Sequence, residues 1–166
     1  YAFYQFKNIP VDWARGSYKT VNPEVSYRTN TKLILHEDFE VGTNFETQNN
    51  SASLLSISDT NKYEGSASGA VTMDTAKKTM DILITKPLIL PLGRPYFLEM
   101  NYKSDCIFEV ALITKTNTKT TVEELGTINP RSNWNKIYFN VETRINSLQG
   151  ISYQLNIRSV LPSGKQ

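Results

Sequence analysis

Apolar and polar residues alternate along most of this chain, or run in short β-branched and aromatic blocks, between clusters of Asn, Thr, Ser, Gly and Pro. Period-two alternation marks a strand with one buried face, and no stretch carries the longer period of a convincing helix. Residues 122–125 allow at most a single helical turn. The pattern predicts strands over 33–39, 53–58, 66–74, 79–84, 88–90, 96–104, 107–114, 120–128, 134–141 and 152–160. A break falls at Lys86-Pro87. The strands over 96–104 and 107–114 are expected to form a hairpin with Asp105 at its turn. About eight or nine short strands with regular turns predict an all-β chain folded as a two-sheet antiparallel β-sandwich.

Alternation also assigns faces. Leu98, Met100 and Tyr102 point inward on one strand, and so do Ile137, Phe139 and Val141 on another. On the last strand Ile151, Tyr153, Leu155 and Ile157 point in. The outward residues Glu99, Asn101, Lys103, Tyr138, Asn140, Gln154, Asn156 and Arg158 are expected to share a sheet face. Amides, a guanidinium and a phenol ring suit a sugar, because amides meet hydroxyls in pairs and a ring stacks on a pyranose. Tyr138, Asn140, Asn156, Arg158, Asn101 and Lys103 are therefore the candidate ligand-binding residues. A solvated sheet face needs only polar residues, and that plainer reading stands beside the first. Trp134 opens its strand and fits either the core rim or a sugar platform.

Residues 1–32 break the alternation. They hold Tyr1, Phe3, Tyr4, Phe6, Trp13, Tyr18 and Tyr27, with Pro10 and Pro23. Such aromatic density is too high for a free tail. An extended arm, or the end of a preceding domain, is expected over 1–32, with the sandwich over 33–166.

The 18 Lys and Arg against 16 Asp and Glu leave a formal charge of +2, with both signs mixed along the chain. A nucleic-acid partner would need a concentrated basic face, and none is present. No stretch approaches the roughly 18 apolar residues of a membrane span. The sequence opens at Tyr1 on aromatic residues and not on a basic stretch followed by an apolar run, so no secretory signal is expected there.

Between the strands over 33–39 and 66–74 lies the richest local pattern. Glu37, Asp38 and Glu40 crowd the end of the first, and Gly65 and Gly69 bracket small residues at the start of the second. Clustered carboxylates beside a glycine turn can seat calcium, which takes several oxygen ligands. Plain surface charge is the other reading. A glycosidase pair would need a cleft and a raised pKa, which the sequence does not display.

Cys106 is the single cysteine and His36 the single histidine. A lone thiol excludes an internal disulfide and reads as a small buried residue, with a Cys–His pair left open. No G-x-S-x-G, phosphate-cradling loop or paired metal-binding histidines occur. A non-enzymatic binding or adhesion module is expected.

E-D-F-E-x-G, Y-E-G-S-A-S-G-A-V, P-L-x-L-P-x-G-R-P-Y-F-L-E-M-N-Y-K-S and N-W-N-K-I-Y-F-N together resemble the galactose-binding-like jelly-roll modules of Bacteroidetes surface lipoproteins. These modules are related in shape to carbohydrate-binding modules. The resemblance spans residues 33–160. It implies an extracellular, outer-membrane location with a lipid anchor upstream. It also implies capture of a glycan or cell-surface polysaccharide, and a structural Ca2+ held by Glu37, Asp38 and Glu40 with the loop around Glu64 and Gly65. Modules of this group often close with a strand carrying an Asp-Asn pair, whereas this chain ends at L-P-S-G-K-Q where that strand would begin. The edge so left is expected to be covered by the aromatic arm or by a neighbouring chain. An assembly role through protein contacts of the arm is the alternative function.

Overall fold

The computed structural model describes residues 32–48, 55–74, 76 and 78–161. The chain divides into two units, Tyr1–His36 and Glu37–Gln166. The aromatic arm expected over 1–32 lies outside the described residues except for Lys32, and so does the contact expected of it. The second unit is all-β. Among the described residues it holds β1 (Phe45–Thr47), β2 (Leu55–Ser58), β3 (Ser68–Val71), β4 (Thr79–Ile84), β5 (Phe97–Ser104), β6 (Phe108–Lys115), β7 (Thr120–Ile128), β8 (Arg131–Asn140), the helix α1 (Glu142–Leu148) and β9 (Ser152–Val160).

All pairing is antiparallel. Five strands run in the order β1-β4-β9-β6-β7, and β2 pairs with β3 and β5 with β8 in two further sheets. The five-stranded sheet turns Ile82 and Ile84, Val110 and Leu112, and Tyr153 and Leu155 inward, all buried. Phe139 of β8 packs against the cluster of Leu112, Tyr153, Val141, Leu90 and Ile145. Tyr102 of β5 stands edge-on to Phe108 of β6, with ring centroids 5.4 Å apart. The β5–β8 pair thus covers the inner face of the large sheet, which is the sandwich arrangement.

Three expected elements differ. Of the stretch 88–90 only Leu88 pairs, in a single bridge to Tyr153. Residues 33–39 form no strand. Phe39 takes a left-handed φ of 61°. The Glu37 carboxylate accepts the backbone N–H groups of Phe39 at 3.1 Å and Asn44 at 2.5 Å. Local side-chain hydrogen bonds replace the ladder there, as they do in Asx-type turns. The expected hairpin is also absent, because β5 pairs with β8 while β6 lies between β7 and β9. Both faces of β6 carry buried residues, so it belongs at the centre of a sheet. Residues 105–107 carry the chain from one layer to the other, with the Cys106 N–H donating to Ser104 Oγ at 3.2 Å.

Two further features shape the core. The β6–β7 register slips between Val110 and Ala111, and Gly126 faces the Phe139 ring so closely that a Cβ would overlap it. The seven-residue α1 buries Ile145 completely and seals one end of the core. Its pattern is too short to show a helical period.

Candidate functional site

The three carboxylates Glu37, Asp38 and Glu40 are committed to backbone groups. Glu37 gathers the turn over residues 39–44, with the Thr43 hydroxyl donating at 3.3 Å. Asp38 Oδ1 accepts the Glu40 N–H at 3.1 Å. Glu40 Oε1 accepts the N–H groups of Ser66 at 2.6 Å and Ala67 at 3.2 Å. The Ser66 hydrogen bond, with help from Ala67, holds the Glu40 carboxyl below its usual pKa against the opposing effect of desolvation. Among the described residues no three acidic, His or Cys groups come together as a metal-holding set. Each carboxylate of the donor set that the resemblance implies for calcium instead accepts at least one backbone N–H here. The glycine pattern has the same origin. A Cβ on Gly65 would overlap the Glu40 carboxylate, and one on Gly69 would overlap the Phe39 ring.

The six expected ligand residues divide between two sheets. Asn156 and Arg158 lie on β9 in the five-stranded sheet. Asn156 points outward as expected but is covered, at 3% exposed. Its Nδ2 donates to Asp81 Oδ1 at 2.6 Å and to the Ile82 carbonyl at 3.0 Å. Arg158 Nε donates to Glu109 Oε2 at 2.6 Å. Both side chains serve the strands beside them. Asn140 is exposed, but its Oδ1 accepts the Glu142 N–H at 3.0 Å at the start of α1.

Asn101, Lys103 and Tyr138 do come together, on the outer face of the β5–β8 pair. The register sets Glu99 opposite Tyr138 and Asn101 opposite Lys136. Alternation along β8 puts Trp134, Lys136, Tyr138 and Asn140 on this one side. Lys136 Nζ sits 2.5 Å from Glu99 Oε1 and 6.0 Å from the centre of the Tyr138 ring. The hydrogen bond to Glu99 raises the Lys136 pKa against a smaller opposing effect of burial, and the Tyr138 and Tyr63 phenols add to the rise. Asn101 Oδ1 is shielded from solvent and accepts no hydrogen bond.

The loop between β2 and β3 walls one end of this face. Asn61 Oδ1 accepts from Lys103 Nζ at 3.3 Å, which ties the loop to β5. Two residues on, the Tyr63 ring lies 5.9 Å from the Trp134 ring, tilted by 50°, which ties it to β8. Tyr63 keeps 48% of its surface in solvent. The result is an open face with rings at Tyr63, Trp134 and Tyr138, an amide at Asn101 and cations at Lys103 and Lys136. The loop end near Tyr63 and Trp134, which the sequence offers as the other place for a ligand, thus lies at the edge of this face; the docking of Asn61 on Lys103 has no period that the sequence could show.

Cys106 is half-buried between the hydroxyls of Ser104 and Ser159, at 3.6 and 3.7 Å. Two hydroxyls beside a thiol do not supply a general base. Among the described residues no helix is long and apolar enough to cross a membrane. No protein-family model matches the chain, and no curated protein matches its sequence.

Proposed function

We propose that this domain is a non-catalytic carbohydrate-binding or adhesion module of the galactose-binding-like jelly-roll type, and that it takes its glycan on the outer face of β5 and β8. The Tyr63–Trp134 pair carries this reading. Two rings meet at the edge of an open polar face and leave much of the tyrosine in solvent. An aromatic pair that only filled the core would be covered. A sugar has an apolar ring face for such a platform and hydroxyls for the amide and charged groups beside it. Tyr138 stands four residues along β8 from Trp134, roughly 13 Å at the usual strand rise, so the face is wider than one pyranose. The resemblance adds a place on the bacterial surface, with the domain held by a lipid anchor elsewhere in its protein.

A glycan array tests the proposal with the intact chain and with Trp134→Ala and Tyr63→Ala. Specific binding lost in both variants supports it. A blank array from folded protein, or binding untouched by either substitution, overturns it. The array is repeated with chelator: loss of binding would make Glu37, Asp38 and Glu40 a working calcium site, and unchanged binding would leave them as acceptors of backbone N–H groups.

A further inference from the structure

Two lysines stand on the outer face of β5 and β8 in different electrostatic states. Lys136 is matched, with its ammonium 2.5 Å from the Glu99 carboxylate. Lys103 is exposed and meets a neutral amide oxygen, Asn61 Oδ1, at 3.3 Å. Ion pairs among the described residues join Lys136 to Glu99, Arg144 to Glu123 and Arg158 to Glu109, and none involves Lys103. The unmatched charge lies at the loop end of the face, where Asn61 holds it beside the segment that carries Tyr63 against Trp134. One end of the platform therefore joins two rings to an ammonium that has no carboxylate partner, beside a loop that also carries Asp59, Lys62 and Glu64, while Lys136 farther along is paired with Glu99.

We infer that the glycan bound here is acidic, with a carboxylate or sulfate group docking on Lys103 while the sugar that bears it stacks at the Tyr63–Trp134 pair. The inference rests on the carbohydrate reading and adds the ligand's charge to it. An ammonium on a flexible stem suits a single anionic oxygen cluster and needs no planar fork. The Asn61 amide holds the stem towards the rings at little cost, since an anion offers Lys103 a stronger, charge-assisted partner than a neutral carbonyl.

The test compares three oligosaccharides of equal length by calorimetry: an oligogalacturonide, a sulfated galactan fragment and a neutral galactan fragment. One or both acidic probes are expected to bind tighter than the neutral one by roughly three- to tenfold. The probe that gains tells carboxylate from sulfate. The advantage shrinks as salt rises, disappears in Lys103→Gln and is kept in Lys103→Arg. Lys103 is exposed, so both variants fold. A neutral probe that binds as tightly as the acidic ones, or an acid preference that survives Lys103→Gln, overturns the inference and leaves the platform in place. Folded protein that binds none of the three, and no glycan on the array, overturns the carbohydrate reading and this inference with it.

Discussion

The carboxylate of Glu40 accepts the backbone N–H of Ser66 at 2.6 Å, across 26 residues of chain. It clasps the turn after residue 36 to the loop that leads into β3, where Gly65 takes a φ of 69° that disfavours any side chain and the carboxylate fills the place one would occupy. The hydrogen bonds from Ser66 and Ala67 lower the Glu40 pKa from 4.5, the value for an unconstrained glutamate. A carboxyl with a depressed folded pKa contributes stability that is complete above its unfolded value and is lost as pH falls through the folded one. The melting temperature of the native chain is therefore expected to drop on acidification below about pH 4.5 more steeply than that of Glu40→Gln, which holds no titrating group at the clasp. Thermal melts across that range check this. Equal acid slopes for the two proteins would remove Glu40 from the account.

The ring of Phe39, held by its left-handed backbone, lies on Gly69 of β3. Gly69→Ala puts a methyl group into that ring and is expected to cost roughly 1–3 kcal/mol, the range for overpacking. In a Phe39→Ala background the obstacle is gone, so the same glycine change should cost clearly less. A double-mutant cycle in urea measures the difference. Additive costs would mean that Gly69 is needed for a reason other than the ring.

The strands that the sequence showed best are those whose alternation meets a buried sheet. β4 and β9 span 79–84 and 152–160, where the pattern put them. The stretch 33–39 looked equally strand-like and is not, because alternation does not reveal that Glu37 will turn back onto the amides of Phe39 and Asn44. Pairing was less legible than strands. Nothing local distinguishes a β5–β6 hairpin from an arch between layers, and the choice is made by β6 finding β9 some forty residues on. Face assignment succeeded on β8, where Trp134, Lys136 and Tyr138 share a side. It misjudged Asn156, because alternation says which way a side chain points and not how deeply its strand lies. β9 is central, and Leu83 and Ala111 flank Asn156 in register. Of the three carboxylates, Glu40 is the one that reaches the glycine loop, through the N–H groups of Ser66 and Ala67.

Tyr153 is 1% exposed, and its hydroxyl works at both ends. It accepts the Gly150 N–H at 2.7 Å and donates to the Ile145 carbonyl at 3.3 Å. That carbonyl also accepts the Gln149 N–H at 3.0 Å. Tyr153→Phe therefore strands one half-buried donor, that of Gly150, and leaves the Ile145 acceptor partly served. A loss of roughly 1–3 kcal/mol is expected, the cost of an unsatisfied buried group. Urea unfolding measures it. A loss below about 0.5 kcal/mol, half of the smallest expected cost, would mean that water replaces the hydroxyl.

Asn156 and Trp134 should separate stability from binding. The Asn156 amide is buried and donates to Asp81 and to the Ile82 carbonyl, so Asn156→Ala removes polar contacts between β9 and β4. It is expected to cost roughly 1–3 kcal/mol of stability and to leave glycan affinity unchanged. Trp134→Ala works the other way. The ring is half-buried at the edge of the layer, and its pairing with Tyr63 is worth only about 0.5–1.5 kcal/mol beyond area burial. Its loss removes the platform, and affinity should fall about tenfold or more, equal to about 1.4 kcal/mol of binding energy. Urea titrations and calorimetry on the same two variants give all four values. If Asn156→Ala weakens binding while Trp134→Ala does not, the ligand lies on the outer face of the five-stranded sheet, with Arg158 as its first contact to test.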